Sequence, residues 1–452
     1  MAAITRARAL PMWRSLSVRD FRLLWASEAV SLVGDQFHVV ALAWLVIDLT
    51  QSGLALGTVL IAIGVPRALL IVPFGVLADR LPARSMMLAA HLVRGVVVGA
   101  MAALVMTDSA SIPLLAALGV VFGAADAAFI PAQQAFLPRT LEADQLPSGN
   151  ALLQGTMQLT GILAPPLAGA AIALVGTGAA FVVDSASFFA AAVIVLFITS
   201  TGAARAAGSA TAAGVPGGAG TPGTAATGAD TTSAAPEPGF GAQLREGIAY
   251  VLSDPPLRTT LLISLVMNFA LNGPAAVGMP WLAEIRFDAG PVGLGLLTAA
   301  YALGALVGTV LAGNVRQERQ GARILAFLGI TGIALLVVGL APWLGLALAA
   351  LAVMGLVIGY VNIVAISWLQ RRVAPDMVGR VMAITMLMGF GATPLSFALA
   401  GWLLDVAPTA LFAGATVLVL ATTAFAWSTG FAARFDAAAP DVPSTGEDAR
   451  AA

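Results

Sequence analysis

Charged residues inside long apolar stretches are the part of this sequence whose residue types could carry chemistry. They are Glu28, Asp35, Arg67, Arg94, Asp126 and Asp184. A charge inside a bilayer is energetically expensive, so such residues usually face a protein interior or a water-filled pathway. Binding and release of a proton is the chemistry open to a buried carboxyl group, because burial favours its neutral form and a nearby arginine favours its charged form.

The positions of these charges along their apolar stretches predict partners. Asp35 and Arg67 each lie about twelve residues from the same end of consecutive stretches, which places both roughly 18 Å deep at about 1.5 Å per residue. Arg94 and Asp126 both lie roughly 10 to 15 Å deep by the same arithmetic. Consecutive helices run antiparallel, so we expect two buried ion pairs, Asp35–Arg67 and Arg94–Asp126, which limit the cost of desolvation.

Asp35 is the leading candidate for a group that takes up and releases a proton. Asp126 and the shallower Glu28 are further candidates. The alternative for each is a permanent structural ion pair. Asp184 is expected to cap a helix or to pair near the outer face, and His38, one helical turn beyond Asp35, is expected to be a packed polar residue.

Amide side chains recur at helical spacing and could line a substrate cavity. The candidates are Gln36, Asn150, Gln154, Gln158, Asn268, Asn272 and Asn362. A spacing of four residues places side chains on one face of a helix. With nearby aromatic and methionine side chains, such a face suits a bulky amphipathic compound better than a sugar or an ion. Roles in helix packing are the alternative for each residue.

Membrane helices must position these residues, because the composition excludes a soluble protein. The chain has 452 residues, of which 59% are hydrophobic and 10% charged, whereas a soluble domain carries about 25% charged residues. Stretches of about 18 to 25 apolar residues are long enough to span a bilayer. They lie at 23–47, 54–77, 86–106, 112–136, 149–175, 178–199, 259–283, 293–312, 323–341, 344–368, 379–403 and 409–430.

The arginines predict the orientation of these spans. All 22 cationic residues are arginine, and nineteen of them fall on the side of the N-terminus. The positive-inside rule therefore predicts that both termini are cytoplasmic, which requires an even number of spans. We expect a multi-pass protein of the cell inner (cytoplasmic) membrane.

Composition and internal similarity divide the chain into two halves. Residues 201–238 are nearly all Ala, Gly, Thr, Ser and Pro, a composition typical of a flexible linker. Two short matches at equivalent positions favour an internal repeat: Val76-Leu-Ala-Asp79 with Val310-Leu-Ala-Gly313, and Gly161-x-x-x-Pro165-Pro166 with Gly389-x-x-x-Thr393-Pro394. The predicted divisions are a cytoplasmic N-terminal arm (1–20), a six-helix bundle (21–200), a cytoplasmic linker (201–238), an amphipathic surface helix (239–258), a second six-helix bundle (259–431) and a disordered cytoplasmic tail (432–452). Repeated halves with a site between them are a transporter architecture.

The segment from Gly75 to Arg84 resembles the signature loop of the major facilitator superfamily. Gly75, Asp79, Arg80 and Arg84 fit the pattern G-x-x-x-D-R-x-G-R-R/K, with Pro82 in the place of a glycine. The resemblance implies an all-α fold of twelve transmembrane helices in two pseudo-symmetric six-helix halves. It also implies that Asp79 gates transport by lying against the inner end of the helix that begins near Met377. The alternative is that these charges form a cluster that only sets the orientation of the chain in the membrane.

Further segments resemble the drug:H⁺ antiporter branch that includes macrolide efflux proteins and the enterobactin exporter. They are residues 31–36, 129–138, 182–186 and 246–258. Gly161, Pro165, Pro166 and Gly169 are similar to the antiporter motif G-x-x-x-G-P-x-x-G, with Pro165 in the place of a glycine. Glycines and prolines kink a membrane helix and permit close packing, so generic tight packing is the alternative to a role in antiport.

Together these features predict a secondary active transporter that exports an amphipathic small molecule, such as a drug, a macrolide or a siderophore-like compound, by proton antiport with alternating access. An importer or a lipid or lysophospholipid transporter of the same fold is the alternative, and a non-transporting membrane sensor is a third. The expected partners are the substrate, protons and membrane lipid, and the chain is expected to be a monomer. The absence of cysteine and of a P-loop, two histidines and a net charge of −1 argue against an enzyme, a metal or other cofactor, and a nucleic-acid partner.

Overall fold

The computed structural model describes residues 11–199, 240–314, 319–374 and 377–437. Within these ranges it contains helices and no β-strand, and twelve helices are long and apolar enough to cross a membrane. The predicted all-α fold with twelve spans is therefore confirmed. The linker at 201–238, most of the N-terminal arm, the tail from residue 438 and the side chain of Asp79 lie outside the described residues.

The N-terminal half consists of six long helices that follow a short 3₁₀ helix at Pro11–Ser17. They are α1 (Arg19–Thr50), α2 (Gly53–Arg80), α3 (Ala83–Met106), α4 (Ile112–Thr140), α5 (Leu146–Val175) and α6 (Thr177–Leu196). The connections between them are short. Gly176, for example, has φ 87°, a conformation that glycine adopts at little cost, and it allows α6 to follow α5 directly.

The C-terminal half begins with a short helix, α7 (Phe240–Ser253), and continues with six long ones. They are α8 (Pro255–Gly273), α9 (Gly290–Asn314), α10 (Gln320–Leu340), α11 (Leu344–Arg372), α12 (Val378–Val406) and α13 (Pro408–Ser428). Two π-helical turns extend α8, so that its apolar span reaches Arg286. A final short helix, α14, covers Phe431–Asp436.

The two halves pack their helices in the same way. In the N-terminal half α2 packs along α4, and in the C-terminal half the equivalent helices α9 and α11 pack along each other. Both contacts depend on glycine: a Cβ atom at Gly123 would collide with the backbone of Ile63, and one at Gly308 with the backbone of Leu356. Small residues let membrane helices approach at backbone distance. This equivalence confirms two pseudo-symmetric six-helix halves.

Contacts between the halves lie at the distal end of the bundle, defined here as the end where α1 ends and α2 begins. There α2 packs on α12, where Gly57 meets Phe397, and α5 packs on α9, where Gly169 meets Pro291. The proximal end is the opposite one, where α2 ends and α8 begins. The structure is therefore tightly closed between the halves at its distal end.

Candidate functional site

Asp126 on α4 is the centre of an ion-pair cluster inside the N-terminal half. Its Oδ1 lies 3.2 Å from Arg94 Nη1, and its Oδ2 lies 3.1 Å from Arg67 Nη1. The structure thus brings Arg94 and Asp126 together, whereas the predicted Asp35–Arg67 pair does not form. Depth along a helix does not specify the direction of a side chain around it, and the packing of α2 along α4 places Arg67 against Asp126.

Arg94 is held by more than its carboxylate partner. Its side chain is 2% exposed, and its guanidinium carbon lies 4.6 Å from the ring centre of Phe129 and 4.5 Å from that of Phe188. An arginine over aromatic faces gains cation–π stabilisation, which is larger when water is excluded. Rigid packing on two rings fixes the position of this buried positive charge.

A chain of hydrogen bonds runs from Arg94 to α6. Arg94 Nη2 donates to His91 Nδ1 at 3.2 Å, His91 Nε2 lies 3.4 Å from Ser27 Oγ, and Ser27 Oγ donates to the carbonyl of Ala191 at 3.2 Å. Because arginine can only donate, His91 Nδ1 must accept, and the ring proton is on Nε2. His91 is therefore a neutral link between the charge cluster and helices α1 and α6.

Asp35 on α1 has no hydrogen-bond or ion-pair partner within the described ranges, and it is half-buried. It lies within electrostatic reach of Arg94 and of the carboxylates of Asp126, Asp184 and Glu28. A carboxyl group that is partly accessible and unpaired can exchange a proton without first breaking an ion pair. A small change in its distance from Arg94 would change its proton affinity.

Glu28 lies beside Gln133 and within electrostatic reach of Arg94 and Asp126. Its Oε2 atom is buried and finds no hydrogen-bond partner among the described residues. Burying a polar oxygen without a partner is costly, so Glu28 stays a candidate for proton exchange beside Asp35.

His38 and Asp184 form a buried pair that the sequence analysis missed. His38 Nδ1 lies 3.1 Å from Asp184 Oδ2, within ion-pair distance but not aligned for a hydrogen bond, and their side chains are 5% and 0% exposed. The His38 ring stacks on Phe122 with centroids 4.6 Å apart. Asp184 therefore pairs with His38 in the interior of the bundle. Gly34 is the sequence feature that could have indicated this close contact between α1 and α6, because a Cβ atom there would collide with Ser187 and Asp184.

A cavity of about 540 Å³ lies between the halves, next to the charge cluster. Arg67 lines it from α2, Asn268 and Asn272 line it from α8, and Thr393 lines it from α12. The Asn272 amide donates to Thr393 Oγ1 at 3.0 Å. The lining is otherwise mostly apolar, as suits an amphipathic ligand.

A second cavity of about 240 Å³ lies within the C-terminal half and shares Ser264, Asn268 and Asn272 with the first. Asn362 on α11 and Tyr301 on α9 also line it. The three candidate asparagines of this half therefore come together around one connected pair of cavities. Among the described residues, no charged side chain lines the smaller cavity.

The amide candidates of the N-terminal half are not brought to these cavities. Asn150 and Gln154 are exposed on α5, Gln158 is half-buried, and Gln36 is half-buried on α1. None of the four is among the residues that line either cavity. The four-residue spacing predicts a shared face of α5, but it does not say what that face meets.

Comparison with known proteins identifies the family. Residues 24–396 match the family model described as the Major Facilitator Superfamily. The chain belongs to this superfamily. It is 23% identical over 393 residues to macrolide efflux protein A of Streptococcus pyogenes, covering 85% of this chain and 89% of that protein. It is 24% identical over 380 residues to the multidrug efflux pump Tap of Mycolicibacterium fortuitum, covering 83% and 86%.

A comparison with solved structures agrees with this family assignment. A solved structure of a bacterial homologue of the iron transporter ferroportin in an inward-facing state superposes with a TM-score of 0.66 at 16% identity, covering 93% of this chain and 99% of that one. The protein is thus a multi-pass membrane transporter of the Major Facilitator Superfamily.

The superfamily signature loop lies at the proximal end, where α2 ends at Arg80 and α3 begins at Ala83. Arg84 reaches across to the end of α6 and donates to the carbonyls of Val195 at 3.3 Å and Leu196 at 2.7 Å. Cations are favourable at a helix C-terminus, so Arg84 stabilises the end of α6. Gly75 faces open space, and the exposed Arg80 has no partner among the described residues.

The antiporter-like motif forms one side of the contact between the halves. A Cβ at Gly169 would collide with the carbonyl of Pro291, and one at Gly295 of α9 would collide with that of Pro165. Pro165 and Pro166 lie inside α5, whereas Gly161 has no neighbour within contact distance of its Cβ position. Three of the four motif residues therefore belong to or adjoin the distal closure.

Asp405 at the end of α12 makes a second distal contact that the sequence analysis missed. Its carboxylate accepts hydrogen bonds from Ser52 Oγ at 2.7 Å, Gly53 N at 2.7 Å and Leu54 N at 3.3 Å. Gly53 is the first residue of α2, whose backbone N–H groups have no partner within the helix. An acidic residue of one half thus caps a helix of the other half.

Proposed function

We propose that this protein exports an amphipathic small molecule from the cytoplasm in exchange for protons, by alternating access. The observation that carries the proposal is the unpaired, partly accessible Asp35 beside the closed Arg67–Asp126–Arg94 cluster. Two arginines share one carboxylate in this cluster, so it supplies a net positive field, and the free carboxyl group of Asp35 can respond to that field. Efflux is also what the names of the two relatives describe.

In the proposed cycle Asp35 carries the proton, and Asp126 and Glu28 are its supporting carboxylates. Movement of α1 relative to α3 changes the distance between Asp35 and the fixed Arg94 guanidinium. Approach favours release of the proton, and separation favours uptake. Because the two access states differ in helix positions, each state can hold Asp35 in a different protonation state.

The substrate is proposed to bind in the two adjacent cavities, one between the halves and one within the C-terminal half. Their lining offers amide and hydroxyl groups from Asn268, Asn272, Asn362 and Tyr301 within apolar walls. These groups can donate to or accept from a neutral polar group, and the walls can contact a bulky apolar body. A macrolide, a dye or a siderophore-like compound has that combination.

The orientation follows from the arginines. Nineteen of the 22 arginines belong to the proximal end or to the terminal and linker segments attached to that end. The positive-inside rule places that end in the cytoplasm. We therefore place the protein in the cell inner membrane with both termini cytoplasmic. The closed distal end then faces outward, and the signature loop, in which Asp79 is proposed to act in gating, faces the cytoplasm.

Transport in cells tests this proposal. Cells that produce the protein are loaded with a fluorescent dye, a macrolide or a siderophore, with and without a protonophore. We expect lower cell content that the protonophore restores, loss of export in Asp35→Asn, and normal export in Asp48→Asn, which changes an exposed carboxylate of the same helix. Unchanged export in Asp35→Asn would refute its role, export insensitive to the protonophore would refute antiport, and raised content would favour import.

A further inference from the structure

A groove of about 540 Å³ lies on the C-terminal half and shares no lining residue with the two transport cavities. Four helices supply its apolar walls, with Val251 on α7, Leu262 on α8, Leu387 on α12 and Phe425 on α13. Its volume lies within the roughly 300–1,000 Å³ that ligand sites occupy. It lies at the proximal end, where α8 begins and α13 ends.

Two arginines, Arg258 in the first turn of α8 and Arg434 on α14, line the same groove. Both are exposed, and neither forms an ion pair or side-chain hydrogen bond with a residue in the described part of the chain. The neighbouring Arg372, by contrast, is 2.6 Å from Asp254. Among the described residues no carboxylate lines the groove, so the two arginines have no acidic partner there.

A second recess adjoins the charged end of the groove and shares Pro255 and Arg434 with it. It measures about 390 Å³ and is lined by the polar side chains of Tyr250 and Ser253 and by the ion-paired side chains of Asp254 and Arg372. Hydroxyl groups next to two cations provide hydrogen-bond partners for a hydroxylated headgroup. From the bilayer interior toward the surface, the lining is therefore first apolar, then cationic and then polar.

We propose that this groove binds an anionic phospholipid, with an acyl chain along the apolar walls and the phosphate at Arg258 and Arg434. Basic residues near the membrane surface attract anionic lipid headgroups, each with about 1 kcal/mol. A soluble anion would not use the apolar walls. A zwitterionic lipid would bring a cationic group toward two arginines. The proposal requires only that the protein is in a membrane, and it is independent of the proposed direction of transport and of proton coupling.

Lipid titration of the purified full chain in detergent tests the proposal. Phosphatidylglycerol and phosphatidylcholine with the same acyl chains are added, and binding is followed by native mass spectrometry and by the thermal-unfolding midpoint. We expect phosphatidylglycerol to bind more tightly. Arg258→Gln and Arg434→Gln should each weaken it about fivefold and the double variant about thirtyfold, at about tenfold per 1.4 kcal/mol.

Arg371→Gln is the matched control, because Arg371 is an exposed arginine on α11 that does not line the groove. It should leave the affinity unchanged. Phe425→Ala should weaken both lipids, because it shortens the apolar wall that contacts the acyl chain. Equal affinity for the two lipids, or full phosphatidylglycerol affinity in the double arginine variant, would overturn the proposal. Glycerol phosphate binding as tightly as the whole lipid would overturn it as well.

Discussion

Replacing Asp405 with alanine should loosen the distal contact between the halves. The Asp405 carboxylate satisfies two backbone N–H groups at the start of α2 and the Ser52 hydroxyl, at 2.7 to 3.3 Å. In the state that is closed at the distal end, the variant leaves those donors to water. In the distally open state the substitution has little effect. Asp405→Ala therefore acts on the equilibrium between states and not on substrate contacts.

The size of the effect follows from the chemistry of the contact. Hydrogen bonds to a charged group contribute about 1.5–3 kcal/mol, and a negative charge at a helix N-terminus contributes about 0.3–1 kcal/mol. Because Asp405 is exposed at the end of its helix, we take the lower part of this range. A value of about 2 kcal/mol corresponds to a roughly thirtyfold shift toward the distally open state. Asp405→Asn, which keeps an acceptor oxygen, should have a smaller effect.

Distances between spin labels measure this shift. The chain has no cysteine, so labels can be placed by substitution alone. Ser109 and Thr409 are exposed at the distal ends of the two halves, and Ala143 and Ala322 are exposed at the proximal ends. In Asp405→Ala we expect longer distal distances and shorter proximal ones than in the unsubstituted protein. Unchanged distance distributions at both ends would show that the Asp405 contact does not stabilise the closed state.

The buried ionic groups give two further predictions, both measured as thermal unfolding of the purified protein. Asp126→Ala should destabilise the protein by about 3–5 kcal/mol, because it leaves the 2%-exposed Arg94 without its carboxylate. Adding Arg94→Met to this variant should recover much of the lost stability. A double variant that is no more stable than Asp126→Ala would contradict this prediction. His38→Leu should also destabilise the protein, because the 0%-exposed Asp184 loses the polar side chain that lies 3.1 Å from its carboxylate. The double variant His38→Leu/Asp184→Leu should be more stable than His38→Leu, and equal stability would show that the pair is not coupled.

The number of helices and their grouping into halves could be predicted from the sequence because they depend on local composition. A bilayer sets the length of each span, and the sparse charges interrupt the apolar stretches clearly. The concentration of intramembrane charge in the N-terminal half is also a property of single positions. Arg94 and Asp126 could be matched because they lie at similar depth in helices that follow each other along the chain.

The partners of Arg67, His38 and Gln154 show where that reasoning ends. Depth arithmetic gives the height of a residue but not its direction around the helix, so it assigned Arg67 to α1 although the residue faces α4. The pair of His38 and Asp184 depends on the packing of α1 against α6, which are far apart in sequence. Gln154 repeats at the spacing of a helical face, yet that face is exposed. Each of these needs the arrangement of helices, which hydropathy does not encode.

Arg67 is the residue that joins the two parts of the proposed mechanism. Its guanidinium holds Asp126 Oδ2 at 3.1 Å, and the same side chain, 35% exposed, lines the cavity between the halves. In the proposed cycle, a substrate in this cavity changes the surroundings of the Arg67 guanidinium and therefore the ion pair that Arg67 forms with Asp126. Asp126 is the carboxylate that Arg94 also binds, and Arg94 is the cation that acts on Asp35. In the proposed cycle, substrate occupancy can therefore reach the proton-carrying group through two ion pairs, without direct contact between substrate and Asp35.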